Sequence, residues 1–216
     1  RAHRWIKLIN PRIYVDPSSY PNAKGIYNKY AASFRVYNPH IENALIGIEL
    51  EAINTFVIRD GFIDGQGKDV AGGKGISLKN VDAGDTVNEG EIEKVHINAF
   101  ERGISQTRGE GGWSQSISII DSFFFSCGEA IYAESLHTWR IKRSYFELCD
   151  KGVRVCNIDG AYAPTKLFMK ENFFTLQAGA YNVYIDKYLY DFDYVETLFG
   201  GAGTPLYEGA SVYYIE

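Results

Sequence analysis

One pattern returns four times between Val95 and Tyr184 and limits the fold more than any other feature. Its cores are Val95-His-Ile-Asn-Ala-Phe100, Ile119-Ile-Asp-Ser-Phe-Phe124, Ile141-Lys-Arg-Ser-Tyr-Phe146 and Met169-Lys-Glu-Asn-Phe-Phe174. Each holds an apolar residue, a small polar residue three places on, and Phe two places after that. A second short apolar run follows: Gly103-Ile104, Ala130-Ile131, Gly152-Val153 and Ala180-Tyr181. The phenylalanines are 24, 22 and 28 residues apart, the period of a solenoid. A further return, Tyr194 to Phe199, extends the pattern toward the end of the chain.

A coil of about 22–28 residues holds three strands of four or five residues plus turns. The repeats are rich in β-branched and aromatic residues, which favour strands. The expected fold is therefore all-β, a right-handed single-stranded parallel β-helix. Matching residues of successive coils then lie about 4.8 Å apart. On this reading Phe100, Phe124, Phe146 and Phe174 form one internal stack. Asn98, Ser122, Ser144 and Asn172 form a polar ladder that satisfies backbone groups at a tight turn. Both ladders are read as structural.

Composition narrows the function. The net charge of -5 and the lack of a Lys/Arg cluster argue against nucleic acid as the main partner. No apolar run reaches the length of a membrane span. Cys127 and Cys149 each follow a ladder Phe by three residues, so they are expected on adjacent coils, either as buried thiols or as a disulfide. No spacing suggests zinc or another cofactor. The acidic stretch from Asn80 to Glu91, with Asp82, Asp85, Glu89 and Glu91, lacks the order of a calcium loop.

Residues 1–45 carry four of the six prolines and no clear period, and read as an irregular first coil or a cap. The β-helix is expected over 46–216, as part of a longer chain. After a strand at Phe56-Val-Ile58 comes Gly61-Phe-Ile-Asp-Gly-Gln-Gly67. In this context the motif resembles the early-coil signature of the pectin-lyase-like superfamily, the right-handed β-helix proteins that include polygalacturonases, pectate lyases and many viral tailspikes. The resemblance implies the same fold and a turn role for Asp64.

Alternate residues of a strand point outward. With Ile76, Ile104, Ile131, Val153 and Tyr181 taken as inward, one outer face displays Ser77/Lys79, Ser105/Thr107, Tyr132/Glu134, Arg154/Cys156 and Asn182/Tyr184. The turns before it supply Glu101, Glu129 and Asp150. Two carboxyl groups one or two coils apart suit glycoside hydrolysis, which needs spacings of about 5 Å or about 6.5–9.5 Å. Glu101, Glu129, Glu134 and Asp150 are the candidate catalytic acids. Arg154, Tyr132 and Trp113 are the candidate saccharide-binding residues, Trp113 lying among glycines on the loop from Arg108 to Gln115.

Gly152-Val-Arg-Val-Cys156 resembles the polygalacturonase strand that binds substrate through Arg and Lys, with Arg154 in the Arg place. The Lys, the His and the Asp pair of those enzymes are replaced here, and polygalacturonase chemistry is not expected. Arg140-Ile-Lys142 spells the same motif on the wrong strand of the repeat and reads as solvated charge. The sequence thus points to a polysaccharide-binding β-helix, with glycosidase or lyase activity left open. The alternative is a noncatalytic structural or adhesin β-helix of a virion spike or cell-surface assembly. Either implies an extracellular or surface location, and neighbouring subunits, such as those of a homotrimer, to cover the open coil ends.

Overall fold

The computed structural model describes residues 4–80, 86–108, 114–156, 166–185 and 191–208. It is an all-β parallel solenoid of eight coils, each giving one strand to each of three parallel eight-stranded sheets. Sheet A holds Trp5–Ile9, Ser33–Tyr37, Thr55–Arg59, Gly90–Glu93, Ser118–Ile120, Trp139–Lys142, Lys166–Lys170 and Asp191–Val195. Sheet B holds Arg12–Tyr14, His40–Ala44, Phe62–Gly65, His96–Asn98, Phe123–Phe125, Tyr145–Glu147, Phe173–Leu176 and Leu198–Gly201. Sheet C holds Lys24–Lys29, Ile46–Glu51, Lys74–Lys79, Arg102–Thr107, Glu129–Ala133, Lys151–Val155, Tyr181–Ile185 and Thr204–Glu208. A short fourth sheet, Val87–Asn88, Ser114–Gln115 and Leu136–His137, fills one corner of the middle coils. The proline-rich start is itself coiled, supplying the first rung and two strands of the second.

The corner from sheet A to sheet B explains why the chain can bend so tightly. It carries one residue per coil in the left-handed region: Asn10, Asn38, Asp60, Lys94, Asp121, Arg143, Glu171 and Glu196. Asn and Asp tolerate that conformation best. The Lys, Arg and Glu members are held there by the ladder beside them. Val95 N–H donates to Ser122 Oγ at 3.3 Å, Ser122 N–H to Ser144 Oγ at 3.3 Å, and Ser144 N–H to Asn172 Oδ1 at 3.0 Å. Each side chain thus satisfies a backbone donor of the coil before it, which water cannot reach.

Inside, Phe124, Phe146 and Phe174 stack with centroids 5.0 and 4.3 Å apart and planes within 5°. All three are fully buried, a burial that stabilises by about 2–3 kcal/mol per ring. Phe100 is not the fourth member. Ile97 pairs with Phe124, and Phe100, three residues later, falls opposite Cys127 at the next corner, where its carbonyl accepts from Gly128 N–H at 3.0 Å. Val95 takes the corner place of Ser122, and Asn98 points outward to donate to Asp64 Oδ1 at 2.6 Å. Val95-to-Phe100 fits the repeat template three residues out of phase because Phe occurs both in the column and at this corner. Cys127 and Cys149 are buried free thiols.

Gly47, Gly75 and Gly103, each before an inward Ile of sheet C, let the coils close. A Cβ on Gly75 would stand 2.6 Å from the carbonyl oxygen of Gly103, and one on Gly103 would stand 2.5 Å from that of Ala130. Both contacts are with backbone, which cannot swing aside.

Candidate functional site

The outer face of sheet C carries three side-chain columns. The first runs Lys24, Ile46, Lys74, Arg102, Glu129, Lys151 and Tyr181; the second Tyr27, Glu49, Ser77, Ser105, Tyr132, Arg154 and Tyr184. The third begins Lys29, Glu51, Lys79 and Thr107, and Glu134 follows at the end of its strand. Ile76, Ile104, Ile131 and Val153 face the core as the repeat predicts. Tyr181 does not. It pairs with Lys151, while Val183 pairs with Val153 and is fully buried. Asn182, expected outside, is buried. Its backbone lies where a Cβ on Gly152 would meet it.

Glu129 is the centre of the face. Its side chain is 10% exposed and surrounded by three cations. Lys151 Nζ donates to Oε1 at 3.0 Å and Arg154 Nη1 to the same oxygen at 2.8 Å. Arg102 Nε lies 3.1 Å from Oε2 as an ion pair, yet neither atom makes a hydrogen bond. Burial pushes the Glu129 carboxyl up, but the bonds from Arg154 and Lys151 and their charges outweigh it and hold the group below the ordinary glutamate range. An anion so held suits an electrostatic role, not proton donation.

Aromatic rings complete the array. The Arg102 guanidinium sits 3.7 Å from the Tyr132 ring centre, and Arg154 sits 5.5 Å from both the Tyr132 and the Tyr184 rings. Lys151 Nζ lies 5.6 Å over Tyr184, whose ring meets Tyr181 edge-on at 5.4 Å. Tyr132 donates its hydroxyl to Glu134 Oε1 at 3.0 Å. Burial first, and then the Glu134 charge, raise its phenol well above the usual range.

The other nominated acids are placed around this centre and are engaged. Glu134 Oε2 accepts from Arg108 N–H at 2.7 Å. Glu101 Oε2 accepts from Gly72 N–H at 2.5 Å. Asp150, exposed, accepts from Lys68 Nζ at 2.9 Å. Trp113 lies outside the described residues, as do Asp82 and Asp85; Glu91 pairs with Arg59 on sheet A.

Arg102 and Lys151 were not among the nominated residues: each lies three places before an outward residue, Ser105 and Arg154, where strict alternation does not place it. Following the columns backward finds a second cluster. Glu49 is fully buried, bonded by Lys24 and, at 2.8 Å, paired with Lys79. Burial raises its pKa, but these bonds outweigh it and the carboxyl is held low. Between the clusters lie Ser77 and Ser105, both buried with hydroxyls that find no partner. Beside them Lys74 has its pKa lowered by burial and by the nearby charges of Lys79 and Arg102.

Sheet B presents a different outer face. His40, Phe62, His96, Phe123, Tyr145 and Phe173 run as one ring ladder, with successive centroids 5.3, 5.2, 4.6, 5.2 and 5.2 Å apart. Phe123, Tyr145 and Phe173 stack with planes 28° and 20° apart, whereas His96 meets Phe62 and Phe123 edge-on.

The chain matches no known protein-family model, no curated protein and no solved structure.

Proposed function

We propose that the chain is a carbohydrate-binding β-helix of the pectin-lyase-like type, working outside the cell or on a virion surface. On this reading it holds a polysaccharide along the outer face of sheet C without cleaving it. The supporting observation is the array of Arg102, Tyr132, Arg154, Tyr184 and Lys151 around Glu129. Planar guanidinium groups and aromatic rings side by side offer both hydrogen bonds to sugar hydroxyls and faces for the apolar side of a pyranose. Glu129 keeps the two Arg side chains and Lys151 gathered, so little rotamer entropy is left to lose on binding.

The same geometry favours binding over hydrolysis. A glycosidase needs one carboxylic acid that keeps its proton near neutral pH, whereas the best-placed candidate, Glu129, is held ionised. Glycan-array screening followed by titration tests the reading. Wild-type protein should retain a polysaccharide, and Arg154→Ala should weaken it by roughly tenfold or more. Incubation with the retained polysaccharide should release neither reducing ends nor unsaturated products. Steady release that is abolished in Glu129→Gln would replace this reading with catalysis.

A further inference from the structure

Sheet A carries a separate open groove of about 380 Å³, lined by Thr138, Trp139, Arg140, Lys142, Lys166, Phe168 and Asp193. It is built on three successive rungs, with Arg140 in register with Phe168 and Phe168 with Asp193. Trp139 points inward, fully buried, its indole N–H donating to the Ser114 carbonyl at 3.3 Å. That bond fixes one end of the strand that bears Arg140 and Lys142. These two alternate with buried Trp139 and Ile141, so both project from the sheet, about 7 Å apart along it.

Several long cations of the solenoid sit beside acids: Arg59 with Glu91 and Glu93, Arg143 with Asp121, Lys170 with Glu171. Arg140 and Lys142 have no carboxylate within ion-pair distance among the described residues, and Arg140 is exposed. Lys142 Nζ instead lies 5.7 Å over the Phe168 ring. Lys166 and Asp193 line the groove beside them. Arg140 and Lys142, like charges on one strand with no carboxylate partner among the described residues, gain stability from an anion held between them.

We propose that this groove binds a sulfate or phosphate monoester carried on a sugar ring. A lone carboxylate is satisfied by one guanidinium fork. Two cations that project from one strand about 7 Å apart match the several terminal oxygens of a tetrahedral oxyanion instead. Phe168, flanked by Arg140 and Asp193 in its column, offers a face for the sugar ring, and Asp193 accepts from a ring hydroxyl. The volume fits one or two sugar units.

Calorimetric titration with galactose 6-sulfate, galactose 6-phosphate, galacturonate, galactose and inorganic sulfate tests the assignment. At least one ester should bind roughly tenfold tighter than galacturonate, galactose and inorganic sulfate. The stronger of the two esters identifies the source as a sulfated or a phosphorylated glycan. Arg140→Ala and Lys142→Ala should each weaken the ester by roughly tenfold, and Phe168→Ala should reduce its affinity to that of inorganic sulfate. Three results would each overturn the proposal: no ester binding up to about 10 mM, galacturonate binding as tightly as the esters, or unchanged ester binding by the Arg140/Lys142 double alanine variant with a wild-type melting temperature. Arg154→Ala, on sheet C, should leave ester binding unchanged, so failure here stays distinct from failure of the sheet C reading.

Discussion

Sheets B and C are built on the same rungs and treat charge in opposite ways on their outer faces. On sheet C, Glu49 and Glu129 are buried yet held ionised, because each lies among cations from the coils before and after it. On sheet B, burial beside the ring ladder raises the Asp64 carboxyl and lowers His96 toward neutrality. Asn98 bonds Asp64 and lowers its pKa, but this does not offset the burial. The difference lies in what each neighbouring rung supplies. A carboxylate that meets Arg and Lys above and below has its pKa held down, while one that meets Asn and rings has it raised. Solenoid stacking repeats whichever choice is made, and so gives each face its own chemistry.

The largest effect expected from this contrast follows Glu129→Gln. It leaves three cations gathered without their anion and should destabilise by about 3 kcal/mol in urea titrations. Asp64→Asn, by contrast, should change stability by less than about 0.5 kcal/mol, because its charge is already disfavoured. Equal losses at the two positions would erase the distinction between the faces.

A smaller effect belongs to the ladder. Tyr145 stacks between Phe123 and Phe173 and accepts from Thr175 Oγ1 at 3.1 Å. Tyr145→Ala should lose about 1–2 kcal/mol, well short of the roughly 4 kcal/mol for Phe146→Ala in the interior stack. The comparison of the two neighbours separates stacking in the buried interior from stacking on the outer face.

The pH dependence sharpens the contrast further. His96 has a lowered pKa, so the folded state resists a proton that the unfolded chain accepts; its stability contribution is lost as pH falls below the ordinary imidazole value. Glu49 and Glu129 also have lowered pKa values. Their contribution is complete above the unfolded glutamate value and is lost as pH falls through the folded one. Asp64, raised, works in the opposite sense and gains on acidification. Urea midpoints should therefore stay level above neutrality, decline slightly from about pH 6.5, and fall more steeply below about pH 4.5. His96→Phe, which continues the rings of Phe62 and Phe123, should shrink the upper step, to which buried His137 also contributes, and leave the lower one.

Much of the fold was legible because stacking makes the same demand once per coil. The column Ile76, Ile104, Ile131 and Val153 and the corner Ser122, Ser144 and Asn172 were both readable from spacing alone. Where coil length changes, the reading slipped. Phe100 was aligned three residues out of phase and Tyr181 two, since each apolar residue has an equally suitable neighbour. The outward side chains Tyr132, Arg154 and Glu134 were legible from strand alternation. The grouping of Arg102, Lys151 and Arg154 onto one carboxylate was not, because it depends on long side chains bending between rungs. The sheet A groove was hidden for the same reason: its strand reads locally as solvated charge, and the cavity exists only through the rungs beside it.

The central claim is that the rungs hold Glu129 as a permanent anion, which makes sheet C a surface for binding. Carbon-13 NMR titration of the Glu129 carboxyl carbon, assigned by comparison with Glu129→Gln, reads this without any ligand. The account predicts a midpoint below the ordinary glutamate value of 4.5, moving upward in Arg154→Ala. A midpoint at or above that value in the wild-type protein would contradict it and return Glu129 to the role of a proton donor.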